Sequence, residues 1–169
     1  MDVLQAIMTR TSIRKFTGER VGDQVLDQIL RAGFAAPSAH NVQPWQFMIV
    51  DDPDTLEAIA EAHTHAKMLP SAGTAIVVCG DTTLQPELGF LLEDCSAAMQ
   101  NMLLAIHGLG MGGVWIGIHP VEDLEVDMAR ILKLPGGMLP VGIIALGHAK
   151  EPKEPRDKYN PEKIHYNQW

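Results

Sequence analysis

Val3, Leu4, Ile7 and Met8 recur at helical spacing, so the chain opens on a short helix with one apolar face. A second helix is expected from Asp23, which can cap it, to about Ala36, with Val25, Leu26, Ile29, Leu30 and Phe34 along one side. Pro37 ends it, because proline supplies no N–H to continue the ladder. Ser38 to Pro44 is polar and reads as a loop, and a strand follows from about Gln46 to Val50. Asp51-Asp52-Pro53-Asp54 marks a turn and helix start. That helix carries Leu56, Ile59 and Ala60 inward and is expected to end before Pro70. Thr74 to Cys79 is a short β-branched run between glycines, the pattern of a buried strand. From Pro86 to about Gly108 a long helix is apolar on nearly all sides, which places it centrally or in a subunit interface. It is long enough to span a bilayer, but Glu93, Asp94, Gln100 and Asn101 would each be costly in lipid. Strands at Val114–Ile118 and Pro140–Leu146 frame a last helix at Val121–Leu132.

The pattern changes at His148. Pro152, Pro155 and Pro161 punctuate alternating charges with no apolar period, so residues 148–169 read as an extended arm. The arm nevertheless carries Ile164, Tyr166 and Trp169, side chains that a loose tail rarely holds, and it is expected to dock on something. The full length of 169 residues suits a single domain that buries its own core without staples. Cys79 and Cys95 lie in apolar stretches and form no CxxC pair, so they read as buried free thiols in a reducing, cytoplasmic compartment. No basic-then-apolar leader follows Met1. The net charge of −8 argues against nucleic acid and anionic membrane as partners.

Against that acidic balance the cations are unevenly placed. Arg10-Thr11-Ser12-Ile13-Arg14-Lys15-Phe16 packs cations and hydroxyls together, and apart from Arg31, Lys67, Arg130 and Lys133 every Lys or Arg lies in residues 10–20 or 150–163. From Ala32 to Ala129 Lys67 stands alone. Guanidinium forks and hydroxyls suit a phosphate. The two ends meeting around one phosphorylated ligand would explain the pattern, and so would two solvated surface runs.

Other motifs exclude chemistry. Gly108-Leu109-Gly110-Met111-Gly112-Gly113 satisfies G-x-G-x-x-G, but a helix precedes it and a strand follows, the reverse of the dinucleotide arrangement. It reads as a helix end and tight turn. His63 and His65, two apart, would point away from each other on a helix, and no histidine spacing matches a metal site. No nucleophile elbow or Walker loop is present, so an enzyme built on this chain would rely on a cofactor. The loop Ala36-Pro37-Ser38-Ala39-His40-Asn41-Val42-Gln43-Pro44-Trp45-Gln46-Phe47 concentrates small and amide groups. They could bind the edge of a polar heterocycle or simply cap a helix end.

Taken together, Arg10-x-Ser12-Ile13-Arg14-x-Phe16 and Ala36-Pro-Ser-x-x-Asn41-x-Gln43-Pro-Trp45-x-Phe47 resemble the FMN-dependent nitroreductase family. Lys67-Met68-Leu69, the block Gly110-Met-Gly-Gly-Val-Trp-Ile-Gly117 and the arm ending His165-Tyr166-Asn-Gln-Trp169 are similar to its later blocks, in the right order. The resemblance implies an α+β fold, a mixed sheet flanked by helices with an extended C-terminal arm. It implies tightly bound FMN, NADH or NADPH as reductant, and ping-pong reduction of electron-poor acceptors such as nitroaromatics and quinones. The alternatives are a non-catalytic flavin-binding protein and a flavin-modifying or dehalogenating relative. By this resemblance Arg10 and Ser12 would hold the phosphate with Arg156 and Lys158, Thr11 between them would also bind the cofactor, and Arg14 and Lys67 would face the N1–C2=O edge of the isoalloxazine. Trp115, Ile116 and Gly117 would line the flavin, and Pro37, Ser38, Ala39 and Asn41 would come from the second subunit of a homodimer on which the arm packs. Ala39 stands where many members have a second serine, which removes one expected hydrogen bond.

Overall fold

The computed structural model describes residues 1–169. Helix α1 (Val3–Thr9) starts on Asp2, whose carboxylate accepts from the Gln5 N–H at 2.9 Å. Helix α2 spans Asp23–Phe34. Its N-cap is Gly22 rather than Asp23, which lies inside the first turn where its charge complements the helix dipole. Strand β1 (Trp45–Val50) leads through Asp52, which caps α3 (Pro53–Ala62) by accepting from the Thr55 N–H at 2.9 Å. The single helix expected up to Pro70 is divided. After α3 come turns, and Pro70 sits in the first turn of a short α4 (Leu69–Ala72), where its missing N–H is not needed. Strand β2 (Thr74–Asp81), the long helix α5 (Leu88–Gly108), β3 (Gly112–Gly117), α6 (Glu122–Ile131) and β4 (Met138–Gly147) complete the order. No helix is long and apolar enough to cross a membrane.

The strands lie in the order β1-β2-β4-β3, and each neighbouring pair is antiparallel. The α+β architecture is the one expected; the parallel pairing that a mixed sheet requires is not present within one chain. Helices cover both faces. On one side Ala75, Val77, Ile143, Val114 and Ile116 pack with Leu56 and Ile59 of α3, Leu69 of α4 and Met128 of α6. On the other, Ile76, Val78, Ile144 and Leu146 pack with Ile29 of α2 and Leu91, Met99, Met102 and Ile106 of α5. This explains why β2 reads as continuously apolar: both of its faces are buried even though its pairing is antiparallel. Cys79 and Cys95 are buried in these layers as free thiols, Cys95 Sγ donating to the Cys79 carbonyl at 3.8 Å, and burial pushes the two thiols up to about 11 and about 12. Phe34, expected on the buried face of α2, is instead 61 % exposed and meets the ring of Phe47 edge-on at 4.9 Å.

Two connections place the functional residues. The glycine stretch after α5 is a turn, with Gly110 at φ 77°, not a phosphate loop. At Gly112 a Cβ would come within 2.9 Å of the Ile13 side chain, so glycine here lets the segment after α1 lie against β3. That segment then joins the arm: Phe16 bridges Ala149, the Thr17 N–H donates to the His148 carbonyl at 3.0 Å, and the Lys150 N–H donates to the Lys15 carbonyl at 3.0 Å. Phe16 is 5 % exposed. Its burial is worth roughly 1.5–3 kcal/mol and ties the basic segment to the core. From residue 151 onward the arm is exposed apart from half-buried Asn160, with Tyr159, Tyr166 and Trp169 among the exposed side chains.

Candidate functional site

The two cationic ends of the chain line one cavity of about 970 Å³. Arg10, Thr11, Ser12 and Arg14 come from the segment after α1; Lys153, Arg156 and Lys158 come from the arm. The arm is held there by Thr11 Oγ1 donating to the Lys153 carbonyl at 3.3 Å and by Lys153 Nζ donating to the Ser12 carbonyl at 3.4 Å. None of Arg10, Arg14, Lys153, Arg156 or Lys158 belongs to an ion pair, although Glu154 and Asp157 line the same cavity. Lys15 is different: it is spent on Glu151 at 2.8 Å, an exposed pair of little energetic consequence. The sequence offers one signal for Lys153, its place in the cationic arm, and no motif that separates it from its neighbours.

Arg10 also touches the state of a histidine. Thr9 Oγ1 donates to the Gln5 carbonyl at 2.6 Å, so at 2.8 Å from His107 Nε2 it must accept, and that nitrogen carries a proton. Partial burial, and then the charge of Arg10, hold the His107 pKa below its ordinary value.

Arg14 lines a second, smaller cavity of about 370 Å³ with His63, Thr64, His65, Lys67, Met68 and Val114–Gly117. Its floor is the outer edge of β3. Residues of β3 alternate between facing β4 and facing away. Ile118 bonds to Val141 of β4, which puts Gly113, Trp115 and Gly117 in the outward phase. The Gly113 carbonyl accepts from the Ile13 N–H at 3.0 Å, and the Gly117 carbonyl is met by His63 Nε2 at 2.8 Å. Between those two ties the backbone groups of Trp115 and the N–H of Gly117 face the cavity. His63 is 2 % exposed and its Nδ1 accepts from the His65 N–H at 3.1 Å, so Nε2 is the protonated nitrogen and the donor. The expectation that His63 and His65 point apart on a helix is corrected here. Residue 63 caps the end of α3, the chain turns, and the two rings lie 6.0 Å apart on the cavity wall beside Lys67.

Pro37, Ser38, Ala39 and Asn41 line neither cavity of their own chain. They form a turn after α2 in which His40 (φ 52°), Asn41 (φ 56°) and Gln43 (φ 56°) all take left-handed backbone. Three such non-glycine residues so close together need support from their surroundings.

The sequence matches the profile of the nitroreductase family over residues 7–75 and 65–148. The chain belongs to this family. A Methanothermobacter thermautotrophicus protein, named as a candidate NADH dehydrogenase/NAD(P)H nitroreductase, is 42% identical over 169 residues. The match covers 100% of this chain and 88% of the relative. The crystal structure of a Parabacteroides distasonis protein named for the same activity superposes with a TM-score of 0.96 at 39% identity, covering 99% of this chain and 98% of that one. A candidate nitroreductase of Desulfovibrio desulfuricans, solved in complex with FMN, superposes with a TM-score of 0.86 at 31% identity, covering 100% and 98%.

Proposed function

We propose that this nitroreductase-family protein is an FMN-dependent NAD(P)H oxidoreductase that reduces electron-poor acceptors such as nitroaromatics and quinones, working as a homodimer with two shared sites. The observation that carries the reading is that Arg14 lines both cavities, so a cationic cradle and an open strand edge lie side by side. A molecule with a phosphate at one end and a flat, hydrogen-bonding heterocycle at the other fits that pair. The chain's own features suit FMN: the cradle's cations are free of acidic partners, and a Cβ on Gly117 would meet nothing within 4 Å, leaving that part of the floor clear for a ring.

When bound, FMN would supply the two-electron chemistry that links a reduced nicotinamide to the acceptor. The residues would do the rest. Arg10, Ser12, Lys153, Arg156 and Lys158 would hold the phosphate by charge-assisted hydrogen bonds, and Thr11, whose hydroxyl donates to the Lys153 carbonyl, would keep the arm in place beside it. Arg14 and Lys67 would hold positive charge beside the N1–C2=O edge and favour the reduced cofactor. Trp115, Ile116 and Gly117 line the ring, and the outward amides of Trp115 and Gly117 are donors for its heteroatoms. Pro37, Ser38, Ala39 and Asn41 reach the site of the other subunit. Nicotinamide and acceptor would occupy the same open floor beside Trp115–Gly117 in turn, and the kinetics would then be ping-pong. No side-chain base is needed, because the protein contributes position and electrostatics. The exposed Val3, Leu4 and Met8 of α1 and the tip of the arm are the apolar surface that a second copy would cover.

The test is direct. The purified protein should carry a flavin absorption spectrum and oxidise NADH or NADPH with a quinone or nitroaromatic present, with parallel double-reciprocal plots. Flavin binding without turnover would leave a flavin carrier; no flavin binding at all would overturn the reading.

A further inference from the structure

We propose that Asp94 is a positioning residue that sets the loop Ser38–Gln43 in the shape in which it meets the cofactor of the other subunit; this rests on the flavin reading above. Asp94 lies in the second turn of α5 and is 4 % exposed, with buried Leu91, Cys95 and Ala98 around it on the same helix. An apolar side chain would suit that position better, since a buried carboxylate is costly unless it is bonded. One oxygen is bonded: Oδ1 accepts from the Ala39 N–H at 2.8 Å. The other, Oδ2, is the one buried side-chain nitrogen or oxygen in the chain that has no partner. The carboxylate is thus committed to a single backbone amide, and that amide belongs to the loop.

The loop depends on it. Its other hydrogen bonds are internal: Ser38 Oγ accepts from the Gln43 N–H at 3.0 Å, Asn41 Oδ1 accepts from Gln43 Nε2 at 2.9 Å, and the Asn41 and Val42 amides close turns onto Ser38 and Ala39. The Asp94 bond is the one hydrogen bond joining residues 38–43 to the rest of the fold. A contact of the His40 ring with Phe90 of the same helix, edge-on at 6.3 Å, supplements it. Left-handed backbone at His40, Asn41 and Gln43 persists only while the loop is held. A charge-assisted bond, about twice as strong as a neutral one, is suited to holding it. Without that tie the loop relaxes, and Ser38 and Asn41 no longer arrive at the partner's site in a fixed orientation.

Three variants test this in the full-length dimer. Asp94→Ala removes the acceptor. Asp94→Asn keeps an acceptor of the same shape without the charge and should rescue it in part. Ala39→Pro removes the donor while leaving Asp94 in place, and the extended backbone of Ser38 (φ −140°, ψ 152°) already suits a following proline. In the apoprotein, Asp94→Ala should speed hydrogen exchange of the Ala39 amide while Asp94→Asn leaves it slow. FMN affinity should fall about tenfold in Asp94→Ala and Ala39→Pro, the change expected for loss of one charged contact's worth of positioning, and recover in part in Asp94→Asn, whose acceptor is neutral. The decisive measurement pairs differently tagged Asp94→Ala and Arg10→Ala chains in one dimer. If the loop serves the other subunit, one site combines an intact Arg10 with an intact Asp94, and half the flavin binds with wild-type affinity. A hybrid with no wild-type site, an unchanged affinity in Asp94→Ala, or an unchanged Ala39 exchange rate overturns the assignment. Wild-type protein that binds no FMN overturns the flavin reading instead, and the exchange measurement still reports on Asp94.

Discussion

Replacing Arg10 with alanine isolates the phosphate end of the proposed site. Arg10 is half-buried at the end of α1, where its backbone N–H donates to the Ala6 carbonyl at 3.1 Å, a bond that alanine keeps. Its side chain has no acidic partner, so the substitution orphans no buried charge in the protein itself. It takes one cation from a cluster with Arg14, Lys153, Arg156 and Lys158, relieving repulsion in the apoprotein. The two effects therefore have opposite signs: apoprotein stability should hold or rise, while affinity for FMN falls. A hydrogen bond to a charged group is worth roughly 1.5–3 kcal/mol. Partial exposure of Arg10 favours the lower end, a loss of about tenfold in Kd.

The assay is titration of apoprotein with FMN, followed by quenching of flavin fluorescence, and repeated with riboflavin, which lacks the phosphate. Arg10→Ala should weaken FMN and leave riboflavin unchanged, and added salt should weaken FMN less in the variant than in the wild type. Equal losses for the two ligands would mean that Arg10 shapes the fold near the site without meeting a phosphate. No loss for either would remove Arg10 from the site.

Lys67→Met should leave FMN bound but lower its reduction potential by roughly 20–60 mV, equivalent to about 1–3 kcal/mol, because the negative charge gained on reduction loses its neighbour; a redox titration with an unmoved potential would make Lys67 a surface residue. His107 should make stability fall on acidification: its folded pKa lies below the ordinary 6.5, so as pH drops the unfolded chain takes up the proton first. The loss begins near pH 6.5 and is complete below the folded value, and thermal melts of His107→Gln across that window should be flatter than wild type. Deleting residues 162–169 removes Ile164, Tyr166 and Trp169 but keeps the bonds of His148 and Lys150 to the basic segment. Sedimentation should show a weaker dimer with near-native secondary structure, and flavin should be held less tightly.

Much of this architecture was legible because it rests on periodic burial. The apolar rows of α2, α3 and α5 and the run of β2 are long enough to identify their elements, and the helix-then-strand order disposes of the G-x-G-x-x-G match. The clustering of Arg10 and Ser12 with Arg156 and Lys158 was also foreshadowed, since like charges at two distant places in an acidic chain invite a common neighbour. What stayed hidden depends on contacts that leave no local trace. The break between α3 and α4 hinges on whether Pro70 ends one helix or begins another, and both are ordinary uses of proline. His63 meets Gly117, and Asp94 meets Ala39, each across more than fifty residues of chain. In the sequence Asp94 signified only that α5 could not lie in lipid. Its actual partner is a backbone amide, a group every residue but proline carries, so no residue pattern could point to it.

The edge position of β3 connects these details. An edge strand exposes a row of backbone donors and acceptors, a liability that proteins blunt by covering it. Here β3 is covered at both ends and open in the middle. Ile13 closes it at Gly113, and His63 closes it at Gly117. The gap leaves Trp115 facing outward, too short a stretch to template another strand and long enough to hydrogen-bond one flat ring. The groups that close the gap also bring its charges. Ile13 is followed by Arg14, and His63 opens the turn that carries Lys67, so the ties that protect the edge set a cation at either side of the opening. The covering of the strand and the electrostatics of the site are therefore one structural decision. This is why a histidine satisfied by two backbone groups, and doing no chemistry itself, can matter as much to the site as the lysine it precedes.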